Sequence, residues 1–204
     1  MKIENLLPPV RPGKPWTVSL EGGSVLSVPE AVVAQYALYT GMELEEDQLT
    51  AVEEGAKMAA LREKAVSLLT GRLLSEGQLR EKLRTRGATP RQAEEVAAWA
   101  REIGLLNDEA YAKALVRHGQ DKGYGLYKIK EMLYRRQVPR QYWEEALAEL
   151  EAPDEWIDRY LAEKVRDPDD PRQIRKASDA LVRRGFSWHQ VSDGISRLRR
   201  EWEP

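Results

Sequence analysis

The sequence predicts a mainly α protein: three tandem three-helix, helix-turn-helix-like repeats in an elongated curved array, preceded by a small N-terminal β-hairpin plus helix module. Three observations carry this reading. Beyond residue 60 the apolar residues recur at helical spacing. Helix start and stop signals punctuate the same stretch at regular intervals. One apolar-basic pattern returns three times, its arginines Arg86, Arg136 and Arg184 being 50 and 48 residues apart.

Residues 1–60 read as an appended module. Between Pro15 and Pro29, WTVSL and VLSVP flank EGGS, which predicts two short strands around a Gly22-Gly23 turn. A helix is expected at about 30 to 39, closed by Gly41, after which ELEEDQL resumes helical periodicity toward Ala60. Further on, Ser75 with Gln78, Thr89 with Gln92, and Ser187 with Gln190 have the capping-box form, in which two side chains satisfy two otherwise unpaired backbone donors. Pro90 and Pro171 suit first helical positions, where a missing N–H sacrifices no bond, and Asp170, Asn107 and Asp154 suit N-caps. Gly87, Gly104 and Gly185 follow apolar runs as helix stops. This punctuation predicts helices near 61–72, 76–86, 90–103, 108–120, 126–136, 139–150, 155–166, 171–184 and 188–202, grouped as repeats 61–104, 105–152 and 153–204.

The repeats are self-similar. Leu79-x3-Leu83-x2-Arg86-Gly87 is echoed by Ile129-x3-Leu133-x2-Arg136-Gln137 and by Ala177-x3-Leu181-x2-Arg184-Gly185. Each is followed by a helix with large apolar anchors: Val96, Trp99 and Ile103; Trp143, Leu147 and Leu150; Val191, Ile195 and Leu198. A unit this small cannot bury its stripe alone, so neighbouring units are expected to stack.

Little in the chain suggests catalysis. Cysteine is absent, which removes thiol nucleophiles, disulfides and cysteine-based zinc sites. The two histidines, His118 and His189, fall in different repeats without a carboxylate constellation of metal-ligand spacing, and no G-x-S-x-G is present. Gly123-Tyr124-Gly125 lacks the preceding strand and third glycine of a phosphate loop and reads as a flexible joint. Asp108 and Glu109, just after Asn107, complement a helix dipole. The expectation is a non-enzyme with no cofactor and no metal. No run of about 18 apolar residues occurs and the N-terminus has no h-region, which predicts a cytoplasmic protein with no membrane contact. Without a sustained heptad seam a monomer is expected.

Charge placement is more informative. Residues 1–60 hold 4 Lys/Arg against 9 Asp/Glu and residues 61–204 hold 28 against 25, so acid is concentrated in front. The second helix of each repeat is basic. Arg80, Lys82, Arg84 and Arg86 face one acid, Glu81; Lys128, Lys130, Arg135 and Arg136 face Glu131; Arg172, Arg175, Lys176, Arg183 and Arg184 face Asp179. The first two third helices carry acids instead: Glu94, Glu95 and Glu102, then Glu144, Glu145 and Glu149. A solvated helical surface would account for one such helix. Recurrence in three predicts a basic ridge able to follow phosphates or an acidic protein groove.

With these segments in order, the chain resembles the RecX family of bacterial recombination regulators. The resemblance rests on LLTGRLLSEGQLREKLRTRG (68–87), IGLLNDEAYAKALV (103–116), KGYGLYKIKEMLYRRQV (122–138) and ASDALVRRGFSWHQVSDGI (177–195), and spans about 61 to 200. The hairpin followed by Gly41-Met42-Glu43-Leu44 resembles an extension of some Gram-positive members, and Gln137 departs from the family's usual glycine. The resemblance implies three tandem three-helix repeats that lodge in the groove of the RecA filament on DNA and inhibit its ATPase, strand-exchange and coprotease functions, with the thirteen second-helix cations meeting RecA or single- or double-stranded DNA without sequence specificity. Two other classes fit the repeats alone: a helix-turn-helix transcription regulator, expected to show a high-affinity operator, and a helical scaffold for a peptide, expected to be indifferent to salt.

Overall fold

The computed structural model describes residues 1–11 and 13–202. It divides into two compact units, one of residues 1–73 and 79–106, the other of residues 74–78 together with the chain from Asn107 onward.

The first unit opens with a three-stranded antiparallel sheet in the order β1 (Ile3–Leu7), β2 (Trp16–Leu20), β3 (Val25–Val28). The expected hairpin is β2–β3, paired from Trp16 with Val28 to Ser19 with Val25, and both turn glycines, Gly22 and Gly23, have positive φ. β1 is an additional strand, paired from Ile3 with Leu20 to Leu7 with Thr17. One face of the sheet buries Ile3, Val18, Leu20 and Val28 beneath α1 (Glu30–Gln35) and Val52 of α2 (Glu46–Gly71). α2 is a single 26-residue helix, so the boundary expected at residue 60 falls inside it. From Glu46 to Gly71 the segment holds no proline, and its internal Gly55 lies in contact with Tyr36 and Val32 rather than ending a helix. The N-terminal half of α2 thus covers the sheet. Its C-terminal half packs with α4 (Pro90–Glu102) and contributes Ala65 to a core with Leu79 and Leu83 of α3 (Glu76–Arg84), Ala93, Val96, Ala97 and Ala100. Ile103, expected as an anchor, is the C-cap of α4 and 50% exposed; Trp99 is half-buried under the Arg62 guanidinium, 5.4 Å from its ring.

The second unit holds two triplets. The first is α5 (Asp108–Asp121), α6 (Leu126–Arg135) and, after a 3-10 turn at Arg140–Tyr142, α7 (Trp143–Ala148), closed on Tyr111, Ala112, Leu115, Val116, Ile129, Leu133, Val138 and Ala146. The second is α8 (Asp154–Lys164), α9 (Pro171–Arg183) and α10 (Trp188–Trp202), closed on Ile157, Leu161, Leu181, Phe186, Val191, Ile195 and Leu198.

The helix ends follow the sequence closely. All three capping boxes form: Gln78, Gln92 and Gln190 N–H donate to Ser75, Thr89 and Ser187 Oγ at 3.1, 3.2 and 3.2 Å, and each glutamine accepts from the cap residue's N–H. Asn107 accepts from Ala110 N–H, and Asp170 from Arg172 N–H. The Arg172 N–H and the Gln173 side chain hold the Asp170 carboxyl below its ordinary range. Asp154 is not a cap; Pro153 occupies that position with a helical backbone and Asp154 starts the helix, where its carboxylate meets Arg197 at 3.1 Å.

The second helices α3, α6 and α9 close identically. Ala88, Val138 and Phe186 N–H return to Leu83, Leu133 and Leu181 carbonyls at 3.1, 3.1 and 3.2 Å, the six-to-one bond of a Schellman motif, with apolar contact beneath it. The residue in between is left-handed each time: Gly87 at φ 90°, Gln137 at 54° and Gly185 at 93°. Glutamine therefore makes the same stop as glycine, with a backbone penalty that glycine avoids.

Candidate functional site

The thirteen basic residues read from the sequence fall into distinct environments. On α3, Arg80 pairs with Glu94 of α4 at 2.6 Å and Arg84 is exposed; in the turn just beyond, Arg86 is also exposed and donates to the Lys82 carbonyl at 2.9 Å. On α6, Glu131 takes both Lys128 at 2.7 Å and Arg135 at 2.6 Å. Its carboxyl is held below the ordinary range chiefly by the Lys128 hydrogen bond and further by the Arg135 charge. Lys130 and Arg136 are exposed.

α9 differs. Ile174, Ala177, Ser178 and Leu181 face the core, and Arg172, Arg175, Lys176 and Arg183 occupy the opposite side, exposed and without an ion pair among the described residues. With Asp179 they line a shallow surface groove of about 300 Å³. From Arg172 to Arg183 the stripe runs roughly 16 Å along the helix. Four cations around the single carboxylate of Asp179 leave a surplus of positive charge along that length, which draws counter-charge from a partner or from salt. Helical spacing alone places the first three of these cations on one side of α9, at i, i+3 and i+4.

Arg184 is not part of the stripe. Half-buried, it lies 5.1 Å from the centre of the Trp156 ring and 5.7 Å from that of Tyr160, and donates to the Lys122 carbonyl at 2.9 Å. Trp156 stacks on Tyr160 and Phe186 at 5.4 Å each. Around this cluster the Gly123-Tyr124-Gly125 segment is a docking point and not a flexible joint. Gly125 N–H donates to the Arg184 carbonyl at 2.9 Å, Tyr127 N–H donates to the Gly185 carbonyl at 3.1 Å, and Gly123 packs against Trp156. Sequence reasoning missed Trp156 and Tyr160 because their role depends on residues in two different triplets.

Within the second unit the signature positions of the sequence have structural work. Ser75 is fully buried; it caps α3 and also donates its hydroxyl to the Arg136 carbonyl at 2.5 Å. Asp108 Oδ1 accepts from Glu76 N–H at 2.9 Å, so this carboxylate serves the start of α3 as well as its own helix. Ser75→Ala removes an N-cap acceptor and the hydroxyl donor to the Arg136 carbonyl, and should lower the unfolding free energy by about 1–3 kcal/mol in urea denaturation. An unchanged midpoint would refute that role.

No group of three or more His, Asp or Glu side chains placed to hold a metal ion occurs among the described residues, and no helix of theirs is long and apolar enough to cross a membrane.

Three-helix units whose second helices are basic and close by the same C-terminal motif define a helical-repeat protein. The family models for the first and second three-helix domains of RecX match residues 62–99 and 107–147. The regulatory protein RecX of Pseudomonas putida strain GB-1 is 32% identical over 143 residues, covering 67% of this chain and 90% of that one. Its counterpart in Halorhodospira halophila is 31% identical over 144 residues, covering 68% and 88%. That of Geobacillus kaustophilus is 30% identical over 172 residues, 81% of this chain and 64% of that one. A crystal structure of regulatory protein RecX has the same fold, with a TM-score of 0.76 and 23% identity over 96% of this chain and 98% of that one. The structure of RecX from Lactobacillus salivarius aligns with a TM-score of 0.60 and 20% identity over 70% and 96%. The chain belongs to the RecX family of regulatory proteins.

Proposed function

We propose that this chain is a negative regulator of RecA that seats its second-helix cations against the RecA–DNA filament and suppresses filament ATP hydrolysis, strand exchange and coprotease activity. The observation that carries the reading is the α9 stripe, Arg172, Arg175, Lys176 and Arg183, four exposed cations around Asp179 that form no ion pair among the described residues. Such a face suits a polyanion whose phosphates repeat about every 3.4 Å along a strand. Lys130 and Arg136 at α6 are exposed cations of the same unit, Arg84 and Arg86 are exposed cations of the first unit, and family membership supplies the regulatory setting. A protein of this kind works in the cytoplasm as a monomer, by occupancy and without chemistry of its own. Titration into RecA assembled on single-stranded DNA should depress steady-state ATP hydrolysis progressively as the protein approaches stoichiometry with RecA. Unchanged hydrolysis at stoichiometric excess refutes the reading.

A further inference from the structure

We propose that the outer face of α6 is a stacking platform for unpaired nucleobases, built by Tyr127 and Tyr134 and flanked by cations that take the adjoining phosphates. The proposal rests on the nucleoprotein reading above and adds to it a preference for single strands, with named residues. Tyr127 is 63% exposed and Tyr134 69%, on a helix whose opposite side buries Ile129 and Leu133 completely. Seven residues apart, the two rings share one face of the helix, separated by about 10 Å along its axis. That interval is roughly three base steps at 3.4 Å per nucleotide. Lys130 lies between them and is exposed. Tyr134 also borders a groove of about 490 Å³ lined by Arg135, Val138, Pro139, Arg140 and Trp143, in which the Arg140 guanidinium sits 5.3 Å from the Trp143 ring.

Both rings stand largely in water on a helix whose core contacts are made by Ile129 and Leu133. Rings interleaved with cations are the combination that recognises a single strand: every base offers a π-face regardless of sequence, and the cations hold the backbone. Between Lys128 and Arg140 the surface carries Lys128, Lys130, Arg135, Arg136 and Arg140 against Glu131 alone, so its charge complements a polyanion. The α9 stripe offers the contrast. Its exposed face has cations and Asp179 but no aromatic ring, which fits phosphates of a strand in any state of pairing. The two helices thereby divide the work, α9 holding backbone and α6 distinguishing bases that are free from bases that are paired, since a duplex hides its π-faces.

The test is fluorescence anisotropy of the full chain with a labelled oligothymidylate and with a duplex of equal length, at low salt. Tyr127→Ala and Tyr134→Ala should each weaken single-strand binding by about fivefold to a hundredfold, the loss of one base–aromatic stack. Duplex binding should stay within about twofold and the salt dependence should keep its slope, because stacking releases no counterions. Tyr127→Trp and Tyr134→Trp should retain single-strand binding, with circular dichroism confirming the fold of each variant. Alanine variants that bind oligothymidylate like the unsubstituted protein overturn the platform, and so do equal losses on single strand and duplex. If those variants bind naked strand normally yet lose inhibition of RecA ATP hydrolysis, the tyrosines meet protein and the platform is overturned while the regulatory reading stands. Failure of the unsubstituted chain to bind naked single strand at low salt likewise overturns the platform without touching the hydrolysis assay.

Discussion

Gly185→Ala should lower the unfolding free energy of the second unit by about 2–5 kcal/mol, combining the cost of a left-handed alanine with that of overpacking. Gly185 sits at φ 93°, and a Cβ built on it would lie 2.3 Å from Lys128 N and 2.6 Å from Lys128 Cβ. The neighbouring backbone is fixed by its own bonds, Gly125 N–H to the Arg184 carbonyl and Tyr127 N–H to the Gly185 carbonyl, so the approach cannot widen without breaking them. A side chain at Gly125 would meet the same obstacle from the other direction, 2.4 Å from the Gly185 carbonyl carbon. Gly87 provides the control. It has nearly the same φ, at 90°, but nothing within 4 Å of the point where a Cβ would stand, so Gly87→Ala should lose only the backbone component, about 1–2 kcal/mol. Paired urea titrations separate the two costs. Equal losses at Gly87 and Gly185 would show that the close approach of α6 and the α9 terminus contributes nothing.

That contrast also marks what could be read from the sequence. The left-handed stops, the three capping boxes and the repeat pattern are local: partners lie within five residues, and residue type nearly dictates the geometry, as at Ser75–Gln78 and Thr89–Gln92. β1 was not legible because Ile3 finds its partner at Leu20, and IENLL has no clean alternation to announce a strand. The continuity of α2 was signalled only by an absence of caps, prolines and stopping glycines between Glu46 and Gly71, which is weaker than a positive signal. For the cations, the sequence supplied the helices but not their state of compensation. Arg80 finds Glu94 in the next helix, Glu131 claims Lys128 and Arg135, and Arg184 turns to the Trp156–Tyr160 stack, whereas the α9 stripe keeps its charge. These distinctions depend on side chains brought together from separate elements, so residue counts that gave three similar basic helices conceal three different surfaces.

The triple variant Arg172→Glu, Arg175→Glu, Lys176→Glu should raise the concentration needed for half-inhibition of RecA ATP hydrolysis on the order of a hundredfold, and reduce its salt dependence. Each single-strand phosphate contact removed takes about 0.7 from the slope of log affinity against log salt, so three contacts remove roughly 2. The fold should survive, because all three side chains are exposed and none carries an ion pair among the described residues. Glutamate at 172 also enters the first turn of α9, where a negative charge meets the positive end of the helix dipole. Arg80→Glu is the informative comparison. That side chain is already held by Glu94, so its charge is spent within the protein; reversing it should repel Glu94 locally and change inhibition far less than any one substitution in α9. Inhibition and salt slope measured together then separate two causes of loss: a misfolded variant loses affinity and circular dichroism signal alike, whereas lost phosphate contacts flatten the salt dependence with the helical spectrum intact. If the triple variant inhibits like the unsubstituted chain, the α9 stripe is a solvated surface and the filament contact lies elsewhere.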